Sequence, residues 1–432
     1  MNINQYIENK EKKGKYSKQE LQEIIMGYVS GDVTDKQMVE FLKTIFEKGA
    51  NIEEISDMTE IMMKSGEVID LSEIPGIKVD KHSTGGVGDK VSLIASPIVA
   101  SLGANVAKMS GRGLGFTGGT IDKLESIPGY RTNLSTEEFI NNVKKHKIAI
   151  TGQTKNIVPA DKKIYALRDE TGLIESIALI ASSIMSKKLA TGADAILLDV
   201  KCGNAAFMKT KEKATELAKV MVMLGEKLNK DVRVEITSMD LPLGRAIGNK
   251  NEVLEAIEAL KGNWTKDLKE IIYSTSSTIL QQAKIYKTKH EAIMAIDETI
   301  SSGIALEKFN EWIEAQSGNS RILKEPNKYW KPKFEHKIKA TKDGFINIKS
   351  AVNFGIAAME LGAGRKHKED SIDFDAGIWL HKKTGEKAIK NQVIFSLYSS
   401  KPISKKIIKL INESYEIIDK VISKPIIISQ IQ

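Results

Sequence analysis

Between residues 77 and 237, short apolar runs alternate with longer amphipathic segments, and few architectures accommodate that pattern. The runs at 77–79, 104–107, 148–150, 195–200 and 232–237 are separated by stretches of helical periodicity at 91–102, 136–145, 175–189 and 213–228. Such alternation predicts an α/β domain with a mainly parallel sheet, whose ligand sites lie in loops at the strand carboxyl ends.

The flanks differ. Residues 1–66 predict a helical bundle: Ser17-x-x-Glu20 and Thr34-x-x-Gln37 are capping-box signatures, each followed by an apolar stripe, Leu21, Ile24, Ile25 and Tyr28, then Met38, Phe41, Leu42 and Ile45. Gly31, Gly49 and Gly66 stand where those helices would stop. The bundle carries no chemistry of its own; its apolar faces serve a core or a dimer contact. Pro75 and Gly76 break the pattern as a hinge, residues 250–320 are helical again, and 323–336 is a connection with two prolines. Short strands then alternate, with 377–380 and 392–398 among them. The expected division is a helical domain at 1–70, joined in space by about 160–192, an α/β phosphate-binding and substrate domain at 71–334, and a smaller α+β module at 335–432.

Composition narrows the class. The 432 residues are 41% hydrophobic and 28% charged, ordinary for a globular chain. A formal charge of +8 comes from scattered lysines with no basic run interleaved with aromatics, so nucleic acid is not an expected partner, although the field draws anionic small molecules. The single cysteine, Cys202, excludes an intramolecular disulfide and a cysteine metal cage. There is no signal-peptide core and no apolar stretch of membrane-spanning length, which predicts a cytoplasmic protein.

Two loops of one character lie within the α/β segment, 81–89 (KHSTGGVGD) and 110–120 (SGRGLGFTGGT). Glycines let backbone N–H groups turn toward one point, hydroxyls and lysine add donors, and the start of the next helix adds its unpaired N–H groups: together they make an oxyanion pocket. Gly113-x-Gly115-x-x-Gly118 matches a dinucleotide fingerprint, but the acidic ribose contact about 20 positions on is missing. The lysine and hydroxyl spacing of a P-loop is absent as well. Further on, Tyr165-Ala166-Leu167-Arg168-Asp169 follows an expected turn at Pro159-Ala160-Asp161, and Ser183 and Lys187 share one helix face. Arg168, Ser183 and Lys187 suit a ligand edge with carbonyl acceptors, such as a pyrimidine; an i, i+4 surface pair and a structural Arg–Asp bridge suit the same residues.

Taken together, 81–89, Ser110-Gly111-Arg112-Gly113-Leu114, Thr117-Gly118-Gly119-Thr120-x-Asp122-x-Leu124-Glu125, 165–169 and Ser183-x-x-x-Lys187-Lys188 resemble the pyrimidine-nucleoside and thymidine phosphorylases. The likeness continues through Gly152-Gln153-Thr154, Ala206-Phe207-Met208, Gly362-Ala363-Gly364-Arg365 and His381-Lys382-Lys383, nearly the whole chain. It implies reversible phosphorolysis of pyrimidine nucleosides to free base and (deoxy)ribose 1-phosphate, in a cleft between the helical and α/β domains. The phosphate ligands it implies are Lys81, Ser83, Ser92, Lys108, Ser110 and Thr120; the base ligands are Arg168, Ser183 and Lys187. His82 is the expected hydrogen-bond or proton donor to the base, because an unperturbed histidine titrates near working pH. Its alternative role is to orient the loop.

The resemblance also implies a homodimer through the N-terminal helices, inorganic phosphate as co-substrate, no cofactor required for the chemistry, and a structural potassium ion at Gly88, Leu243, Ala246 and Glu255. Here the chain departs from the family, since Lys90 stands where threonine is usual: an ammonium folded inward would replace the ion, and one facing solvent would leave backbone oxygens to bind it. Phe116 replaces a usual histidine, and Gly203-Asn204-Ala205 a more glycine-rich stretch. Lys108 is similar to the broad branch accepting uridine, thymidine and deoxyuridine; methionine is more usual in the thymidine-restricted branch, the alternative. An anthranilate phosphoribosyltransferase has a related architecture but needs a magnesium-diphosphate acidic pair. A non-catalytic nucleoside-binding role sits poorly with intact Lys81, His82, Arg168 and Lys187.

Overall fold

The capping boxes at Ser17 and Thr34 both form, and the stripes behind them are buried, so local signals and packing agree at the start of the chain. The protein is described here from a computed structural model covering residues 3–113, 115–154, 156–367, 369–420 and 425–432; Leu114 of the second glycine loop lies outside the described residues. Four helices open it: α1 (Ile3–Lys13), α2 (Lys18–Ser30), α3 (Asp35–Lys48) and α4 (Ile52–Met63). Gly66 ends this segment where a Cβ would sit 2.0 Å from the carbonyl oxygen of Asn156, so only glycine fits.

The central sheet contains β1 (Lys78–Ser83), β2 (Asn105–Ser110), β3 (Ile148–Gly152), β4 (Ala195–Cys202) and β5 (Asp231–Ser238), all parallel, in the order β3-β2-β1-β4-β5. Helix α5 (Val91–Ser101) connects β1 to β2, while α6 (Thr120–Glu125) and α7 (Thr136–His146) connect β2 to β3. Between β3 and β4 the chain leaves the sheet, and α8 (Pro159–Thr171) and α9 (Ile177–Ala190) pack on α2, α3 and α4. The segment Pro159-Ala160-Asp161, expected as a turn, is the first turn of α8: proline fits there because its missing N–H would have no helical partner.

Strand side chains alternate between two apolar clusters, one on each face of the sheet. Val79, Val106, Ile148 and Ile150 join α5 and the later helices, while Ala107, Ile196, Leu198 and Val200 join the N-terminal bundle. Each fully buried Ile or Leu stabilises the fold by about 1.5–3 kcal/mol relative to exposure.

Downstream, strands Ala246–Gly248, Gly377–Leu380, Val393–Ser399 and Phe334–Lys339 form one small antiparallel sheet. Gly344–Ile348, Lys387–Ala388 and Tyr415–Ile418 form another. Residues 335–432 are therefore strand-rich, but not self-contained. Ala246–Gly248 joins them from the preceding segment, and Ile427–Ile431 returns to the central sheet, antiparallel to β5. Its Gln430 Nε2 donates to buried Glu235 at 2.9 Å and to Ser274 Oγ at 2.7 Å.

Candidate active site

Growth of the sheet reverses at β1, and its carboxyl end lies at this switch point. Pairing with β4 runs from Val79–Ala195 to Ser83–Asp199, whereas pairing with β2 stops at Val79–Val106. Strand β2 meanwhile stays paired with β3 as far as Ser110–Gly152. The carboxyl ends of β1 and β2 thus part, and Lys108 reaches across the gap to donate to the carbonyl of Lys81.

Two fully buried carboxylates organise the ammonium groups there. Asp80 accepts from Lys188 Nζ at 2.8 Å and lies 3.6 Å from Lys108 Nζ; its Oδ1 has no hydrogen-bond donor. Asp199 accepts from Lys81 at 3.1 Å and from Thr237 Oγ1 at 2.6 Å and forms an ion pair with Lys201 at 2.8 Å. The consequences for Lys81 and Lys108 are opposite. Burial alone would lower Lys81, but Asp89 and Asp199 raise it, so it stays charged. Lys108 is pushed down to about 7 by burial and by the like charges of Lys188 and Lys81, against the pull of Asp80 and Asp89.

His82 is half-buried next to Lys81 in the sequence, with no side-chain hydrogen bond among the described residues. Burial, then Lys188, Lys108, Lys187 and Lys81, hold its imidazole well below the ordinary histidine range. A ring so shifted is favoured neutral in the free site, where it can donate one hydrogen bond.

The two glycine loops rest on aspartates. Asp89 accepts from Ser83 Oγ at 2.5 Å and from the Val91 N–H at 3.2 Å, so it ties the first loop to the start of α5. Although burial opposes its charge, Lys201, Lys81 and Lys123 keep it well below the usual carboxylate range. In the second loop Asp122 accepts from the Gly113 N–H at 2.7 Å and from Arg365 at 2.9 Å, while the Gly115 N–H donates to the Arg365 carbonyl at 2.9 Å. Arg365 thereby clasps the loop from the C-terminal module. The hydroxyls of Ser92, Ser110 and Thr120 make no hydrogen bond among the described residues, and Ser92 is nearly buried in the first turn of α5. Phe116 packs on the apolar cluster, its carbonyl so close to Gly355 that a Cβ there would lie 2.5 Å away.

On the helical side, Lys187 donates to Ser183 Oγ at 2.9 Å and pairs with Asp161 of α8. The surface-pair alternative is not what forms, since Ser183 is 5% exposed. Arg168 forms no salt bridge with an aspartate among the described residues. Its Nε, Nη1 and Nη2 donate to the carbonyls of Leu173, Leu179 and Ile174 at 3.0, 3.1 and 2.8 Å, which leaves two of its five N–H groups for a ligand. Lys81, Lys108, Lys187 and Lys188 all lower the proton affinity of His82, so groups expected at the phosphate and at the base act electrostatically on one imidazole.

Sequence reasoning assigned no role to Asp80, Asp199, Lys188, Lys201 or Asp161. A signal was present in β4, where Asp199 and Lys201 interrupt a strand that is otherwise apolar and buried and where an unpartnered charge is costly. The residues implied for potassium also meet, around Lys90. Its Nζ donates to the Leu243 and Ala246 carbonyls at 2.8 and 3.2 Å and lies 2.9 Å from Glu255 Oε2.

Comparison with known proteins supplies the family. Models described as the glycosyl transferase family helical bundle domain, the glycosyl transferase family a/b domain and the pyrimidine nucleoside phosphorylase C-terminal domain match residues 4–66, 76–306 and 345–418. The chain is 47% identical over 411 residues to a pyrimidine-nucleoside phosphorylase of Staphylococcus haemolyticus, covering 95% of each chain. It is 49% identical over 383 residues to one of Bacillus subtilis, covering 89% of this chain and 88% of that one. A solved anthranilate phosphoribosyltransferase from Thermus thermophilus shares the fold at 17% identity, with a TM-score of 0.59 over 73% of this chain and 98% of the other.

Proposed function

Because the chain belongs to the pyrimidine-nucleoside phosphorylase family, we propose that it catalyses the reversible phosphorolysis of pyrimidine nucleosides in pyrimidine salvage. One observation carries this: at the parted carboxyl ends of β1 and β2, Lys81, Lys108 and Lys188 are held on Asp199, the Lys81 carbonyl and Asp80, flanking the loop that carries His82. Such a site has positive charge for a phosphate dianion and, beside it, for a departing pyrimidine anion.

In this reading Lys81, Ser83, Ser92, Lys108, Ser110 and Thr120 hold phosphate, and an oxygen of it attacks C1′ of the nucleoside. The C1′–N1 bond breaks and its electron pair leaves with the base. Negative charge develops on the base carbonyls, where the remaining N–H groups of Arg168, the Ser183 hydroxyl, Lys187 and the neutral N–H of His82 stabilise it. Donors fixed in advance lower the barrier because they need no reorganisation as charge forms. Lys187 is fixed by Asp161 and Ser183; Lys81 is fixed by Asp199.

Lys108 supports the broad substrate range of uridine, thymidine and deoxyuridine. A cytoplasmic homodimer through the N-terminal helices belongs to the same proposal, and light scattering of the purified protein tests its mass. Release of free base from uridine, thymidine and cytidine, each with and without phosphate, tests the chemistry. Phosphate-dependent release of uracil and thymine at comparable efficiency is expected. Thymine alone would move the protein to the thymidine-restricted branch, and no release from any of them by folded protein would overturn the proposal.

A further inference from the structure

Lys90 ends in a site shaped for a cation. Its ammonium donates to the carbonyls of Leu243 and Ala246 and forms an ion pair with the Glu255 carboxylate, so three oxygens surround it. Glu255 is itself fixed, accepting from the backbone N–H groups of Arg245 at 2.6 Å and Ala246 at 2.8 Å. The surroundings are close-packed, since a Cβ on Gly88 would lie 2.5 Å from the Leu243 carbonyl oxygen and one on Gly244 would lie 2.7 Å from Glu255. Lys90 has no exposed surface.

We propose that the Lys90 ammonium is a permanent internal replacement for a monovalent metal ion, so that neither the fold nor turnover of this protein depends on potassium. The location gives the replacement its purpose. Lys90 follows Asp89 of the first glycine loop, and the Leu243 N–H donates to Val87 of that loop at 3.1 Å. From the other side, Arg245 donates to the Leu380 carbonyl at 3.1 Å and pairs with Glu386 at 2.6 Å, while Lys383 donates to the Gly244 carbonyl at 2.7 Å. One covalently attached charge thus staples the first glycine loop to the 243–246 turn and, through it, to the C-terminal module. A diffusible ion in the same place would leave on dilution; a lysine cannot.

Thermal unfolding and turnover are measured in chlorides of potassium, sodium and tetramethylammonium at constant ionic strength, for the unaltered protein, Lys90→Thr and Lys90→Met. The unaltered protein is expected to give one midpoint and one rate in all three salts. Lys90→Thr should melt roughly 5 °C or more lower in tetramethylammonium, because a buried carboxylate loses its partner, and recover saturably as potassium rises. Lys90→Met should be lowered and recover with no salt. A saturable, potassium-specific rise in the midpoint of the unaltered protein would overturn the proposal, and this arm stands even where a variant does not fold. So would a folded Lys90→Thr that potassium fails to rescue, or a Lys90→Met as stable as the parent.

Discussion

Moving the pH from about 7 to about 9 is expected to weaken phosphate binding through the side chain of Lys108. This ammonium is buried, faces Lys188 and Lys81, and donates to the Lys81 carbonyl rather than to the unsatisfied Oδ1 of Asp80, 3.6 Å away. Its pKa of about 7 follows from those contacts, so the free protein sheds this proton across the neutral range. A phosphate dianion placed beside it favours the charged form, and binding therefore takes up a proton. By pH about 9 only about one Lys108 in a hundred is charged before binding, so Kd should rise about tenfold per pH unit above 7, about 2.7 kcal/mol in all. Calorimetric titration of phosphate in two buffers of different protonation enthalpy reads both the Kd and the proton uptake, which should approach one per site at high pH. Lys108→Arg, charged throughout, should bind with a flat profile over this range, and Lys108→Met should bind weakly at every pH. A flat profile in the unaltered protein with no proton uptake would refute the reasoning. Stability moves in the opposite sense. Between pH about 7 and 10.5 the unfolded chain holds the Lys108 proton that the native site has released, so raising pH through that window stabilises the fold.

Three further outcomes follow from the same geometry. Lys187→Ala removes a contact proposed for the base and leaves the phosphate loops untouched, so nucleoside kcat/KM should fall about a hundredfold while phosphate affinity measured by calorimetry changes little. Asp199→Asn leaves Lys81 and Lys201 without their shared carboxylate; urea titration should show a loss of about 3–5 kcal/mol, and an unchanged midpoint would mean the cluster contributes nothing. In Gly119→Ala the new Cβ would sit 2.1 Å from the Gly113 nitrogen, so the second loop must open. Phosphate binding should weaken at least about tenfold with unchanged far-ultraviolet circular dichroism, consistent with local strain rather than global unfolding.

Much of the architecture was legible because periodicity and burial coincide. The stripes at Leu21, Ile24, Ile25 and Tyr28 and at Met38, Phe41, Leu42 and Ile45 pack as their spacing predicts. Strand extents were less legible at the functional ends. Apolar runs ending at Val79, Ala107 and Val200 continue as paired strand through Lys81-His82-Ser83, Lys108-Met109-Ser110 and Lys201-Cys202. Ladder hydrogen bonds belong to the backbone, so a buried charge does not stop a strand when a partner charge arrives from another one. That partnership joins Lys81 to Asp199, 118 positions away, and Lys188 to Asp80, 108 positions away. Local spacing cannot show either pair. The lowered His82 was hidden for the same reason, as three of the four lysines acting on it come from elsewhere in the chain. The inward fold of Lys90 depends on the Leu243 and Ala246 carbonyls, which no side-chain pattern reports.

The return of Ile427–Ile431 to β5 has a kinetic side. Glu235 on β5 and Gln430 on the closing strand are 195 positions apart, so β5 is an open sheet edge throughout synthesis of the chain between them. Unpaired strand edges template association with other chains, and contacts so distant in sequence form late. Nascent protein should therefore pass its most aggregation-prone interval with β5 exposed, waiting for one strand to seal the edge.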